Sequence, residues 1–99
     1  MDVKVIIRPL AERDLQDIIE YIARDNPQAA ARVGRKLLDL SDELASHPRR
    51  GMAVRQRPSA RKIGCWPYVI FYRFNSATGL LEILRFWHSA RDPKTLRLD

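Results

Sequence analysis

The chain is poor in the residues that build disulfides and metal sites. Cysteine occurs once among the 99 residues, as Cys65, and histidine occurs twice. A single thiol cannot form an internal disulfide, and no Cys-x-x-Cys pair or Cys/His cluster supplies the ligands of a zinc site. We therefore expect no metal and no cofactor, and we interpret Cys65 as a buried thiol without a chemical role.

Long hydrophobic runs are also missing. The first apolar run, Val3 to Ile7, is too short for the apolar segment of a signal peptide, and no later stretch is long enough to span a bilayer. The composition, with 45% hydrophobic and 30% charged residues, is in the range of globular proteins. We expect one soluble, cytoplasmic domain over residues 1–99 that makes no membrane contact.

Acidic residues are scarce in the second half of the chain. Residues 1–46 hold 7 Lys and Arg against 9 Asp and Glu, a net charge of −2, whereas residues 47–99 hold 11 against 3, a net charge of +8. The segment from Arg49 to Lys62 contains no acidic residue at all. Such a field attracts nucleic acid, an anionic protein or an acidic partner segment, and charge alone does not distinguish among them.

The first half of the sequence predicts a strand followed by two helices. Val3 to Arg8 is rich in β-branched residues, and Pro9 stops the strand and suits a first helical turn. Asn26 and Pro27 have the pattern of an N-cap and first turn, which predicts a second helix over residues 27–46. Apolar residues recur at helical spacing in both segments, at Ala11, Leu15, Ile18, Ile19 and Ile22 and at Ala30, Val33, Leu37, Leu40 and Leu44.

The second half predicts a basic loop and three strands. We expect a loop over residues 49–59, with at most a short extended piece, and then strands over residues 61–65, 67–74 and 80–88. Turn residues over positions 75–79 join the last two strands in an antiparallel hairpin. Helices grouped before consecutive strands predict an α+β domain: an N-terminal strand, a two-helix hairpin and an antiparallel sheet of about three further strands.

Four segments carry a resemblance to a known family. These are LAERDLQDIIEYIARDNPQAA, HPRRG, PYVIFYRF and the closing EILRFWHSARD. In this order and spacing they resemble the RelE/ParE toxins, and the last segment is similar to the C-terminal signature of the ParE-like branch.

The resemblance implies the toxin of a type II toxin–antitoxin system. Its partner would be a ParD-like antitoxin whose acidic tail folds onto the toxin. A ParE-like toxin would poison DNA gyrase without hydrolysing anything itself, whereas a RelE-like toxin would cut mRNA on the ribosome without a metal. A third hypothesis, independent of toxicity, is a plain nucleic-acid-binding module.

The residues expected to contact a target or antitoxin are mostly basic. Arginine suits phosphate and carboxylate equally, and tryptophans could flank a partner groove. The alternative is a solvated basic loop, with both tryptophans at the edge of the core. The proposed contact set is Arg49, Arg50, Arg55, Arg57, Arg61, Lys62, Trp66, Trp87 and Arg91.

A nuclease would need phosphate ligands and a proton-transfer group. Arg61, Arg85 and Arg91 are the candidates for holding phosphate, and His88 is the candidate acid or base. Strand alternation places Arg85 and His88 on opposite faces unless a bulge intervenes, so the set is not assembled by sequence logic.

Simpler roles compete with the chemical ones. His88 would then be a strand-end residue bonded to backbone or to Asp92, and Tyr68 and Tyr72 would be core aromatics. The chain has only Lys62 where the nuclease branch is lysine-rich, and it ends LRLD without a terminal aromatic residue. These departures favour the ParE-like branch.

Overall fold

A computed structural model describes residues 2–98 and contains two α-helices and five strands. In chain order these are β1 (Lys4–Ile7), α1 (Pro9–Ala23), α2 (Pro27–Glu43), β2 (Met52–Val54), β3 (Arg57–Cys65), β4 (Tyr68–Asn75) and β5 (Leu80–His88), followed by a short 3-10 helix, Pro93–Thr95. The predicted α+β class and the position of the helical hairpin are confirmed.

The sheet is mixed and has five strands in the order β1-β5-β4-β3-β2. The expectation of an N-terminal strand and three further antiparallel strands needs two corrections. β1 is parallel to β5, with Lys4 opposite Leu80 and Ile7 opposite Ile83, while the other pairs are antiparallel. The additional strand is β2, which pairs with β3 in the segment that the sequence predicted as mainly loop.

Local sequence signals explain where the helices begin and end. Pro9 opens α1 at its first turn, and Asn26 caps α2 by accepting a hydrogen bond from the Ala29 N–H at 3.0 Å. α2 ends at Glu43, three residues before the predicted end at Ser46. The chain there tightens into turns in which the Ala45 N–H donates to the Asp42 carbonyl at 3.1 Å.

Both faces of the sheet are covered. The helices pack on one face, where Leu37, Leu44 and Tyr72 are wholly buried. The C-terminal segment packs on the other face, where Leu98 is buried against a cluster of β3, β4 and β5 side chains: Ala60, Phe71, Leu84 and Trp87. Tyr68 and Tyr72 are core aromatics, as the sequence predicted, and the structure places both in the helix-side core. We call the second surface the C-terminal face.

A register shift in β5 fixes which side chains share a face. Phe71 lies opposite Arg85, but the next residue, Tyr72, lies opposite Ile83, so Leu84 is an extra residue in β5. The irregularity precedes Arg85 and does not separate it from His88. From Arg85 onward, regular alternation therefore applies up to the end of β5.

Candidate functional site

The basic segment is folded against the sheet. Arg55 and Gln56 form the exposed two-residue connection between β2 and β3. The loop before β2 is tied down by Arg61, whose Nη1 donates to the Gly51 carbonyl at 2.8 Å and to the Arg49 carbonyl at 3.3 Å. Arg61 therefore anchors the loop that precedes β2.

Tyr72 also holds this loop, from the helix side of the sheet. Its hydroxyl accepts the Gly51 N–H at 2.8 Å, and a Cβ added at Gly51 would lie 2.8 Å from both the Tyr72 hydroxyl and the Lys62 carbonyl. The arginines preceding Gly51 also have neighbours. The Arg49 guanidinium lies 5.7 Å from the Phe74 ring centroid, and Arg50 Nη1 lies 3.7 Å from Glu43. Much of the predicted contact segment is thus an ordered surface and not a free loop.

Two rows of opposed residues cross the C-terminal face. Cross-strand register places Lys62, Phe71 and Arg85 in one row and Gly64, Val69 and Trp87 in the next. Lys62 is exposed, whereas Trp87 is only 4% exposed.

Arg91 is the exposed cation nearest to Trp87. Its guanidinium lies 4.0 Å from the Trp87 ring centroid, and that of Arg85 lies 5.2 Å away. Both distances permit cation–π attraction. Because the indole is buried, Arg91 is the member of this stack that a partner can reach.

Arg85 is committed to an internal ion pair. Its Nε and Nη2 donate to the two carboxylate oxygens of Asp14 at 2.6 and 2.9 Å, and its Nη1 donates to the Arg97 carbonyl at 2.8 Å. The hydrogen bonds to Asp14 raise the pKa of Arg85 above its ordinary value. This guanidinium joins α1, β5 and the C-terminal segment.

His88 lies on the helix side of the sheet, opposite Tyr68. The two rings meet edge to face, with centroids 5.3 Å apart, and burial raises the pKa of the Tyr68 hydroxyl. The His88 Nδ1 accepts the Ala90 N–H at 3.0 Å. Asp92 instead caps the 3-10 helix by accepting the Lys94 N–H.

The four nuclease candidates are therefore not brought together. Arg61 is opposite the helix-side residue Tyr72, and His88 is on that same side of the sheet. Arg91 stacks on Trp87, which belongs to the C-terminal face. The candidates are thus divided between the two faces of the sheet, and Arg85 is bonded to Asp14.

The two tryptophans differ in their surroundings. Trp66 is 84% exposed in the turn between β3 and β4, whereas Trp87 is part of the core on the C-terminal face. They are not equivalent walls of one partner groove.

Sequence reasoning missed two carboxylates that organise the domain. Asp14 is buried with Arg85, and Glu82 lies between two arginines, 2.8 Å from Arg73 Nε and 3.4 Å from Arg8 Nη1. The signal for Asp14 was available, because it interrupts the apolar stripe of α1 three residues after Ala11. A charged residue in a core-facing position requires a partner.

Other classes of site leave no trace in the part of the chain that the structure describes. Within residues 2–98, no three His, Cys, Asp or Glu side chains gather in a way that could hold a metal. No helix over the same residues is long and apolar enough to cross a membrane.

The sequence match and the fold together assign this domain to the RelE/ParE superfamily of small toxins. Residues 5–93 match the model of the ParE toxin of the type II toxin–antitoxin system parDE, and the chain belongs to this family. It is thus a toxin of the type II toxin–antitoxin class.

Sequence relatives agree with this assignment, and two solved structures share the fold. The chain is 34% identical to Toxin RelE1 of Caulobacter vibrioides, covering 89% of this chain and 95% of the relative, and 37% identical to Toxin RelE2 of the same organism, covering 79% and 85%. Its fold is similar to one in the RelBE2 toxin–antitoxin complex of Mycobacterium tuberculosis, with a TM-score of 0.67, 22% identity and coverage of 89% and 99%. It is also similar to one in the chromosomal ParDE system of P. aeruginosa, with a TM-score of 0.71, 19% identity and coverage of 87% and 95%.

Proposed function

We propose that this toxin arrests growth by binding and poisoning DNA gyrase in the cytoplasm, and not by cutting RNA. The observation that carries the proposal is the separation of the nuclease candidates. Arg61 and His88 lie on the helix side of the sheet, and Arg91 lies on the C-terminal face. General acid–base cleavage needs these groups within hydrogen-bond reach of one phosphate, whereas inhibition of a protein machine needs only a surface.

The proposed target-binding surface is the exposed basic part of the C-terminal face and the adjoining hairpin. Arg91 is oriented by its stack on Trp87, Lys62 is exposed in the neighbouring row, and Arg55 projects from the β2–β3 connection. A preoriented guanidinium loses less side-chain freedom on binding than a mobile one, which favours a specific contact.

The proposed neutralising partner is an antitoxin with an acidic segment. Two structures with this fold come from toxin–antitoxin systems, and the matching family is defined by such a system. The net charge of +8 over residues 47–99 gives long-range attraction for an acidic chain.

Gyrase supercoiling with purified toxin tests the target. We expect loss of supercoiling and accumulation of cleaved DNA, and Arg91→Ala should need at least about ten times more protein for the same effect, which corresponds to about 1.4 kcal/mol of lost contact. Lys94→Ala, an exposed cation in the 3-10 helix, is the control. Undisturbed gyrase at toxin concentrations that stop growth in cells would refute the proposal.

A ribosome-dependent endoribonuclease is the second candidate, because two curated relatives carry RelE names. It predicts mRNA cleavage on isolated ribosomes that His88→Ala and Arg91→Ala abolish. If wild-type toxin cuts mRNA at specific codons and leaves gyrase activity unchanged, the endoribonuclease becomes the favoured function.

A further inference from the structure

A pocket of about 230 Å³ opens on the C-terminal face, where β5 has its extra residue, Leu84. Exposed polar side chains form its walls, and buried apolar side chains form its floor. The walls are Arg8, Arg57, Arg73 and Ser59, and the floor is Ala60, Leu84 and Leu98. We call it the arginine pocket. It shares no residue with the set Arg91, Lys62 and Arg55 that was proposed to bind the target.

The three arginines come from different strands, and the sheet fixes the backbone of each. Arg8 directly follows β1, and its N–H donates to the Ile83 carbonyl at 2.9 Å. Arg57 is the first residue of β3, and Arg73 lies in β4 opposite Glu82. Segments that are distant in the sequence thus bring three guanidinium groups to one opening.

One carboxylate, that of Glu82, orients two of these arginines. It accepts from Arg73 Nε at 2.8 Å and Nη2 at 3.4 Å, and it lies 3.4 Å from Arg8 Nη1. The Glu82 side chain is only 12% exposed and does not line the pocket, whereas both arginines are about half exposed and do. A guanidinium that is already held in place loses less freedom when it binds an anion.

The arginine pocket is strongly positive. Three cations line it, and within residues 2–98 no acidic side chain does. With Glu82 included, three positive charges and one negative charge leave a net charge of +2. The cross-strand pair of Arg73 and Glu82 would stabilise the sheet by itself. The two further cations add repulsion, which an anion in the pocket would offset.

The arrangement of donors favours phosphate over carboxylate. A carboxylate is satisfied by one arginine in a two-point pair, as Asp14 is by Arg85 in this protein. A phosphate group is tetrahedral and carries up to about two negative charges, so its oxygens accept from donors on several sides. Ser59 supplies a hydroxyl donor at the same pocket. Arginine and serine together are common ligands of phosphate oxygens.

We propose that the arginine pocket binds a phosphate group, with Arg8, Arg57 and Arg73 as charged donors and Ser59 as a neutral donor. The phosphate belongs either to a free phosphate compound or to the backbone of DNA that the toxin meets at its target. The chemistry of the pocket is the same for both sources, and the experiment separates them. The inference goes beyond the proposed function and does not depend on it, because it concerns an anion that the toxin binds by itself.

Titration calorimetry of purified toxin with inorganic phosphate is the first test. We expect one saturable site, and Arg8→Gln with Arg57→Gln should raise its dissociation constant at least about tenfold. Arg57→Gln alone should give a smaller loss in the same direction. Arg32→Gln with Arg35→Gln, at exposed positions on α2, makes the same change of charge as the first pair and should leave phosphate binding unchanged.

Thermal denaturation in phosphate and in chloride, at equal pH and ionic strength, gives a second readout. A ligand that binds only the native state raises the melting temperature, and this rise should shrink in Arg8→Gln with Arg57→Gln. Phosphate also stabilises proteins by exclusion from their surface, and both double variants keep that part of the rise. Because the difference between the two salts is measured, a variant that is merely less stable does not imitate the result.

Two results would overturn the proposal. One is a wild-type toxin without saturable phosphate binding, or with the same dissociation constant as Arg8→Gln with Arg57→Gln. The other is acetate that binds as tightly as phosphate and is lost in the same variant, since the pocket would then select charge and not phosphate.

A short DNA duplex distinguishes the two sources of phosphate. If the pocket receives a backbone phosphate, Arg8→Gln with Arg57→Gln should weaken DNA binding in fluorescence anisotropy and reduce its salt dependence more than the control pair does. If phosphate binding is lost while DNA binding is unchanged, the pocket takes a free phosphate compound. A toxin that binds phosphate here but leaves gyrase undisturbed would refute the proposed function alone. A toxin that poisons gyrase but binds no phosphate would refute this inference alone.

Discussion

Arg85 on the last strand and Asp14 on the first helix form a buried two-point ion pair, with donor–acceptor distances of 2.6 and 2.9 Å. The carboxylate also accepts the Phe86 N–H at 3.1 Å, at the edge of β5 beyond the end of β1. Asp14 thus supplies the acceptor that a neighbouring strand would otherwise provide to the Phe86 N–H. Arg85, which is paired with Asp14, also donates to the Arg97 carbonyl. One carboxylate fixes α1, β5 and the C-terminal segment together.

Removal of Asp14 should strongly destabilise the toxin. Asp14→Ala leaves the Arg85 charge buried and the Phe86 N–H without its acceptor, so we expect the free energy of unfolding to fall by about 3 kcal/mol or more. Urea denaturation of purified toxin measures it, with Asp17→Ala, at an exposed position of the same helix, as the control.

The double variant Asp14→Ala with Arg85→Met separates the charge from the packing. It should recover part of the lost stability, because no uncompensated charge remains in the core. A double variant that is less stable than Asp14→Ala alone would show that Arg85 acts through other contacts.

The regular elements could be predicted from the sequence because their signals are local. β5 has the predicted bounds, and α1 begins at Pro9 as predicted. The parallel partner of β1 could not be predicted, since it lies more than 70 residues away and periodicity carries no information on pairing. β2 has three residues and depends on the distant Tyr72 and Arg61 for its position.

Glu82 should give the toxin a measurable acid sensitivity. The hydrogen bond from Arg73, helped by the charges of Arg73 and Arg8, holds the pKa of Glu82 below its ordinary value of 4.5, although burial opposes this. A carboxyl with a lowered folded-state pKa adds stability above its unfolded pKa, and that stability is lost as the pH falls through the folded pKa.

Melting temperatures from about pH 6 to about pH 3 test the effect. Glu82→Gln should lower the melting temperature near neutrality, and the difference from wild type should shrink below the ordinary pKa. Glu12→Gln, at an exposed position on α1, should leave the profile unchanged. Parallel profiles for wild type and Glu82→Gln would exclude this contribution.

The backbone at Gly51 should tolerate no side chain. Gly51→Ala brings Cβ within 2.8 Å of the Lys62 carbonyl and the Tyr72 ring, and overpacking of this kind costs about 1–3 kcal/mol. Gly64→Ala, in open space on the neighbouring strand β3, is the control and should leave stability equal or slightly higher. Thermal denaturation compares the two, and equal melting temperatures would contradict the close approach.

The candidate site was harder to predict than the fold. Residues can act together only if their side chains lie on the same face of the sheet. Alternation correctly placed Arg85 and His88 on opposite faces, and on that ground the nuclease set was not expected to be assembled. Composition gave the basic segment but not the internal role of Arg61, whose partners are backbone carbonyls. Carbonyl positions follow from the loop path, which the sequence does not specify.

The basic residues of the β2–β3 hairpin should raise the rate at which the antitoxin associates with the toxin. Arg55 and Arg57 lie in and next to the β2–β3 connection, within the half of the chain that carries +8. Long-range attraction mainly raises the association rate and is screened by salt. Arg55→Glu with Arg57→Glu should therefore slow association several-fold at low salt, with the defect shrinking at high salt. Arg13→Glu with Arg24→Glu, at exposed positions on α1 and at its C-cap, makes the same change of charge and should have a smaller effect. Surface plasmon resonance at two salt concentrations measures both rates, and equal association rates for the two double variants would show that the β2–β3 hairpin is not the main source of this attraction.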